Sequence, residues 1–244
     1  MAKKLEFREH QATTLRFAVS ALDALKTLYR QIHEHRLPRG VRIGRKDHQD
    51  RDVYGGFSGV KMRWYSANSR AAMRIFRSVL DGSGLAQARD IVGDRRGRVR
   101  VVQAHIIEIE GSYPVGPWHA DFTDPELGLS QSATMLTPLL TVQPNFGGIE
   151  MSVVTREMTL DFDRFAHVYR YREGEAVLFD GAGMVHRTQG YRAKATARRV
   201  LACWQLADTS RVHRRALRRI GKRNGDRMFF HPHDDPGGQH DSAE

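Results

Sequence analysis

The sequence predicts a mainly β core with helices, an α+β fold of the sandwich or jelly-roll type. Three observations carry this. From Arg98 onward, short runs rich in β-branched residues recur with turn residues between them, a pattern of many short strands in a sandwich or barrel. Before that point the apolar residues recur at helical spacing instead. The chain has 244 residues, of which 40% are hydrophobic. That suits one good-sized domain and gives too much apolar surface for a disordered chain.

Taken in order, Gln11 to Arg36 reads as a helix. Leu15, Ala18, Val19, Leu22, Leu25, Leu28, Tyr29 and Ile32 form one apolar stripe. Leu37-Pro38-Arg39-Gly40 ends it. Val41 to Ser66 is charged and punctuated by glycine, with a short strand at Val60–Tyr65. Asn68 to Leu80 is helical, with Ala71, Ala72, Ile75, Phe76 and Val79 on one side, and Leu85 to Val92 forms a second short helix. Strand-like runs follow at Arg98–Glu110, Ala133–Val142, Gly148–Val154, His167–Tyr171, Ala176–Phe179 and Arg199–Leu206. The tail TSRVHRRALRRIGKRNG is basic and helical, with Val212, Ala216 and Ile220 on one face; the residues after it are polar and expected to be mobile. The layout is a helical layer over 1–92 and a β core over 93–207, together one domain, followed by a basic helix and tail over 208–244.

The formal net charge of +11 favours an anionic partner, or reflects an arginine-rich surface. The single cysteine, Cys203, excludes an internal disulfide framework and a cysteine-based zinc site. No apolar run is long enough to span a membrane, and the charged N-terminus lacks the apolar core of a secretory signal. A cytoplasmic protein is expected.

The chemistry centres on Trp118-His119-Ala120-Asp121-Phe122. His119 and Asp121 are two apart, and residues i and i+2 of a strand share a face. His186 lies downstream, just past another strand-like run. Two histidines and one carboxylate, with other positions open, form the facial arrangement of non-haem Fe(II) oxygenases. Arg198-Arg199 opens the last strand-like run. Alternation puts Arg198, Val200, Ala202 and Trp204 on one face and Arg199, Leu201, Cys203 and Gln205 on the other. Whichever arginine faces inward needs a partner, and a bidentate carboxylate is a good one.

From about Ile106 to Leu206 the chain resembles the Fe(II)/2-oxoglutarate-dependent oxygenases, nearest in pattern to the prolyl-hydroxylase-like branch. The matching features are His119 and Asp121 as the HxD motif, with Tyr113 and Gly116 shortly before it. Gly147-Gly148 precede a later strand, and Gly174 and Phe179 lead to the distal histidine, His186. Arg198 stands six residues before Trp204. The resemblance implies a double-stranded β-helix, jelly-roll or cupin-like, with an N-terminal helical layer. It implies Fe(II) held by His119, Asp121 and His186, with 2-oxoglutarate and O2 as co-substrates. It favours Arg198 for the distal carboxylate of 2-oxoglutarate and adds Tyr113 to the co-substrate site. The activity implied is hydroxylation of a C–H bond, coupled to decarboxylation of 2-oxoglutarate to succinate. Pro138 stands where that branch has a tyrosine, and the interval from His186 to Arg198 is longer, so a prolyl substrate is not carried over. The expected substrate is a small polar molecule, anionic or amino-acid-like. A nucleic acid or protein substrate is the less favoured alternative, and a non-catalytic anion-binding module the third.

Overall fold

The structure is a computed structural model that describes residues 12–16, 18–48, 61–80, 84–94, 96–124, 132–153, 162–225 and 227–230. Its elements in chain order are β1 (Ala12–Arg16), a 3-10 turn (Val19–Leu22), α1 (Asp23–His33), β2 (Ile43–His48), β3 (Lys61–Ala67), α2 (Arg70–Ser78) and α3 (Gly84–Ile91). Then follow β4 (Val99–Glu110), β5 (Ser132–Pro138), β6 (Ile149–Val153), β7 (His167–Tyr169), β8 (Glu175–Asp180), β9 (Met184–Thr188), β10 (Arg198–Asp208) and α4 (Arg211–Asn224). The seven-stranded sheet has the order β1-β8-β5-β10-β4-β3-β2, and the smaller sheet the order β7-β6-β9. Neighbours in both sheets are antiparallel. The result is a double-stranded β-helix, with the large sheet covered by helices on its outer face.

The large sheet is buried on both faces, which is why its central strands read as near-continuous apolar runs. On the outer face Ala104, Ile106, Val200, Ala202 and Trp204 pack against Leu25, Leu28, Met73 and Phe76 of α1 and α2. Trp204 Nε1 donates to Phe76 O at 2.9 Å, joining strand to helix. On the inner face Ile107, Ile109, Leu201 and Cys203 pack against Ile149, Met151 and Tyr169 of the small sheet. α2 starts where Ser69 Oγ accepts from Ala72 N at 3.2 Å, a serine N-cap.

The strand-like runs all form strands, and the helices at Asn68–Leu80 and Leu85–Val92 form as α2 and α3. The long N-terminal helix does not. Residues 12–16 form β1, paired with β8 from Ala12↔Phe179 to Arg16↔Glu175, and the α-helix starts at Asp23. Thr13-Thr14 are β-branched, and pairing at a sheet edge overrides a helical apolar period. β2 and β9 also arise where no strand was expected. α4 buries Ala216, Leu217, Ile220 and Gly221, while Val212 is 72% exposed and lies off that face. The helix packs on Val102 and Phe122 through these residues. The tail expected to be mobile, 231–244, lies outside the described residues. Among the described residues no helix is long and apolar enough to cross a membrane.

Candidate metal centre

His119 and His186 are backbone partners. His119 N donates to His186 O at 3.1 Å and His186 N donates to His119 O at 2.8 Å, an isolated antiparallel bridge to the middle of β9. Directly opposed residues have neighbouring side chains, and the two imidazole centroids stand 4.3 Å apart. Asp121 follows two residues later, and its Oδ1 lies 3.7 Å from His186 Nε2. One donor atom from each of the three side chains lies within 4.8 Å of the others. The triad read from the sequence is thus brought together.

Neighbouring groups orient each ligand. His119 Nδ1 donates to Pro117 O at 3.0 Å, which leaves Nε2 as the lone-pair nitrogen. Thr134 of β5 donates to Asp121 Oδ2. Burial pushes the His186 imidazole down to about 4; Asp121 opposes this and His119 adds to it, both more weakly. His186 is therefore neutral at pH 7, the form that binds a metal. Phe179 packs on it, ring centroids 4.7 Å apart.

The segment after the ligands is clamped. Phe122 N donates to Gly181 O at 3.0 Å, and a Cβ on Gly181 would stand 2.4 Å from Phe122 Cδ2. Only glycine lets that backbone come so close. The Gly147-Gly148 pair has the same cause: a Cβ on Gly148 would lie 2.1 Å from Tyr169 O. From the other side, α4 holds the segment through Arg219, whose Nε and Nη2 donate to Asp124 at 2.9 and 2.8 Å. Arg223 donates to Thr123 O and Oγ1 at 3.1 and 2.8 Å.

The triad opens into a narrow cavity of about 60 Å³ between the two sheets. Tyr113 lines it as expected, but Arg198 does not. β10 takes the other register: Arg199 is 3% exposed and faces the cavity. Arg198 faces the opposite side, in a separate cleft with Arg63, Tyr65 and Glu110. The cause is the alternation itself, since Arg198 shares its face with Val200, Ala202 and Trp204, which pack under the helices. Arg199 Nη1 donates to Gly147 O at 2.9 Å and Nη2 to Thr188 Oγ1 at 3.2 Å. The guanidinium also stands over the rings of Tyr171 and Tyr191, at 5.7 and 5.3 Å. Its Nε is buried with no hydrogen-bond partner, and no carboxylate among the described residues pairs with it. Burial pushes the Tyr171 phenol up to about 12, so it stays neutral beside that charge.

Strand alternation leaves Arg198 and Arg199 open and the resemblance favours Arg198, so Arg199 is the less favoured reading; Thr134, Tyr171 and Thr188 were missed. The signal for Arg199 was present: Leu201, Cys203 and Gln205 share its face, and all line the cavity. Thr188 and Tyr171 carry no motif, because they become neighbours of Arg199 only when β9 and β7 pair with β6. Burial pushes the Cys203 thiol well up, so it remains a neutral thiol in the cavity wall.

No family model matches this chain, and no curated protein matches it in sequence. Solved structures do. The carbocyclase SnoK from nogalamycin biosynthesis, described as non-haem and alpha-ketoglutarate-dependent, superposes with a TM-score of 0.60 at 16% identity, over 84% of this chain and 82% of that one. The epimerase SnoN, solved with Fe3+, alpha-ketoglutarate and nogalamycin RO, superposes with a TM-score of 0.58 at 14% identity, over 84% and 81%. A 2OG-Fe(II) oxygenase-family oxidoreductase from Burkholderia pseudomallei gives 0.52 at 16% identity, over 83% and 88%. The chain has the double-stranded β-helix fold of the non-haem 2-oxoglutarate/Fe(II) oxygenases, with a His-x-Asp…His triad assembled inside it.

Proposed function

We propose that this protein is an Fe(II)- and 2-oxoglutarate-dependent oxygenase that hydroxylates a C–H bond of a small polar molecule. The observation that carries this reading is Arg199, a buried cation with an unpaired Nε–H and no carboxylate partner among the described residues, in the same cavity as a three-ligand metal site. A buried charge without a partner is costly. A dicarboxylate co-substrate removes that cost, with one carboxylate on Arg199 and the other end toward the metal. When bound, iron, 2-oxoglutarate and O2 supply the oxidising chemistry: 2-oxoglutarate loses carbon dioxide and becomes succinate with one oxygen atom, and the other atom enters the substrate C–H bond.

The chain's own residues bind and orient. His119, Asp121 and His186 hold the metal and leave positions open. Thr134 fixes Asp121 by one carboxylate oxygen. Thr188 and Gly147 O hold the Arg199 fork in place, while Ile107, Leu136 and Leu201 keep the wall apolar. In such low-dielectric surroundings the guanidinium–carboxylate contact is stronger than in water.

The test is an anaerobic titration of metal-free protein with Fe(II) and 2-oxoglutarate, followed by the visible charge-transfer band of the chelate. The band is expected in the wild type and absent in His186→Ala. In Arg199→Met the Kd for 2-oxoglutarate should rise by on the order of 100-fold, the usual cost of removing one partner of a buried charge pair. Arg198→Met should leave it unchanged. A loss in Arg198→Met but not in Arg199→Met would refute the assignment, and no band in folded wild type would refute the function.

One observation favours a second substrate class. A cleft between the start of β4 and the first turn of α4 is lined by Arg96, Arg98, Arg100, Arg211 and Arg214. Among the described residues no carboxylate lines it, which suits the phosphates of a nucleic acid carrying the reacting group.

A further inference from the structure

A second cleft lies on the other side of the large sheet, and the metal site makes no use of it. It is bounded by the end of α1 and by β2, β3, β4 and β10, and it holds about 640 Å³ against about 60 Å³ for the metal cavity. That is within the usual size of a small-molecule site, about 300–1,000 Å³. Ile32, Leu37 and Ile43 line the side toward α1 and β2, and Arg63, Glu110 and Arg198 the side toward β10. Arg198 and Arg199 are successive on β10, so strand alternation sends one arginine into each hollow.

The charges around this cleft do not balance. Arg198 stands directly opposite Glu110 on β4, and Glu110 opposite Lys61 on β3. Opposed residues of opposite sign attract. Glu110 instead meets Arg63 Nη1 at 3.0 Å and Lys61 Nζ at 3.3 Å. Glu108, fully buried, is taken by Arg63, Tyr29 and His33. Arg45 closes its fork on Asp47 with two bonds of 2.7 Å. Arg198 is left exposed, with no ion pair to a carboxylate among the described residues. Burial works against its charge, but Glu108, Tyr29 and Glu110 outweigh burial and keep it. With histidine counted as neutral, Lys61, Arg63 and Arg198 stand against Glu108 and Glu110, and one positive charge is left over. The backbone carries a second mark. Among the described residues His35 is the one residue other than glycine with a positive φ, at 54°. It follows the C-cap of α1, where glycine is usual, and it lines the cleft. Such an outlier at a cleft wall points to a site.

We propose that this cleft binds a small carboxylate with an apolar body, the carboxylate on the Arg198 fork and the body against Leu37 and Ile43. A planar carboxylate matches a guanidinium fork with two parallel hydrogen bonds. One spare positive charge suits a monoanion. A phosphate group, which carries about −1.5 to −2, would meet Glu110 and Glu108 with too little compensation. The orientation is set by α1, whose last carbonyls form the negative end of the helix dipole. The anion therefore belongs on the β10 side. Leu37, 37% exposed, and Ile43 meet the apolar part. The site is separate from the metal and does not depend on the oxygenase reading.

The test uses hexanoate as the probe, with hexanol and inorganic phosphate as controls, in NMR of the full metal-free chain carrying isotope-labelled Ile and Leu methyl groups. Hexanoate should shift the methyl signals of Leu37 and Ile43 and saturate. Hexanol has the same body without the charge and should bind about tenfold more weakly, the usual effect of losing hydrogen bonds to a charged group. Phosphate should not displace hexanoate. In Arg198→Met the Kd for hexanoate should rise by about tenfold or more for the same reason. Arg198→Lys keeps the charge without the fork and should lose less. Four results would overturn the site: no shift at Leu37 and Ile43, equal binding of hexanol and hexanoate, an unchanged Kd in Arg198→Met, or displacement by phosphate at the same concentration. Shifts confined to Ile107 and Ile149, which line the metal cavity, would put the carboxylate on Arg199 and remove the cleft site as well. Fe(II)/2-oxoglutarate titration of the same Arg198→Met sample reads the metal centre separately. A weakened hexanoate response beside a normal band is the expected pair, and it also shows that the variant is folded. A hexanoate response in wild type without the band would remove the oxygenase reading and leave the cleft site standing.

Discussion

At the scale of single residues, the site is set by small groups that hold larger ones. Thr134 is the clearest: its hydroxyl takes one oxygen of Asp121 and leaves the other near His186. Thr134→Val keeps the shape and removes the donor. Iron affinity should fall by about 10- to 100-fold, as for other groups that orient a metal ligand, with little change in unfolding temperature; competition with a chelator of known affinity measures it. The ligands themselves were legible in the sequence because HxD and a distal histidine form a spaced pattern. Thr134 was not legible, since nothing local distinguishes it from any other strand threonine. Arg199 lies between these cases: the tandem Arg198-Arg199 was visible, and the register that chooses between them depends on which face of β10 the helices cover.

At the scale of elements, two helices do different work. α1 is pinned to the sheet by Glu108, which is fully buried and accepts from Tyr29 and Arg63, with His33 Nε2 at 2.8 Å. Burial alone would raise the Glu108 carboxyl. The hydrogen bonds from Tyr29 and Arg63 and the neighbouring His33 outweigh it and hold the group below its ordinary 4.5. A carboxyl depressed on folding stabilises fully above its unfolded value and loses that contribution as pH falls through the folded one. Urea midpoints should therefore drop below about pH 4.5 in wild type, and less steeply in Glu108→Gln. α4 clamps the metal segment. Leu217 is fully buried against Phe122 and Val102, so Leu217→Ala should cost about 3 kcal/mol of stability, read from denaturant unfolding, and should weaken iron binding as well. Its helical period and the Asn224-Gly225 stop, with Gly225 at φ 64, were readable. Its docking beside the HxD segment was not, because Asp124 and Arg219 lie 95 residues apart.

Across the whole molecule, the β-helix was legible from β4 onward, where alternation and turn residues agree, except at β9, and illegible at β1 and β2. Those strands lie on opposite edges of the large sheet, and β1 exists because β8 offers it an open edge. The net charge of +11 also has a structural location in the arginine-lined cleft beside α4. If that cleft tracks a nucleic-acid strand, binding of a single-stranded oligonucleotide should weaken with salt, with a log–log slope of about −3.5 for five neutralised phosphates. Arg98→Ala with Arg211→Ala should flatten the slope. Weak binding with no salt dependence would leave the arginines as ordinary surface.

The mutual backbone pairing of His119 and His186 makes the centre observable without any metal. Each of their amide protons is held by the other's carbonyl oxygen, so both should exchange slowly with deuterated solvent in the metal-free protein. Slow exchange before loading means that the ordering entropy of the two imidazoles is spent during folding. Iron then meets a ready site, and its affinity is not taxed by assembling one. Exchange that slows only when iron is added would mean the reverse, with the ion acting as the last step of folding.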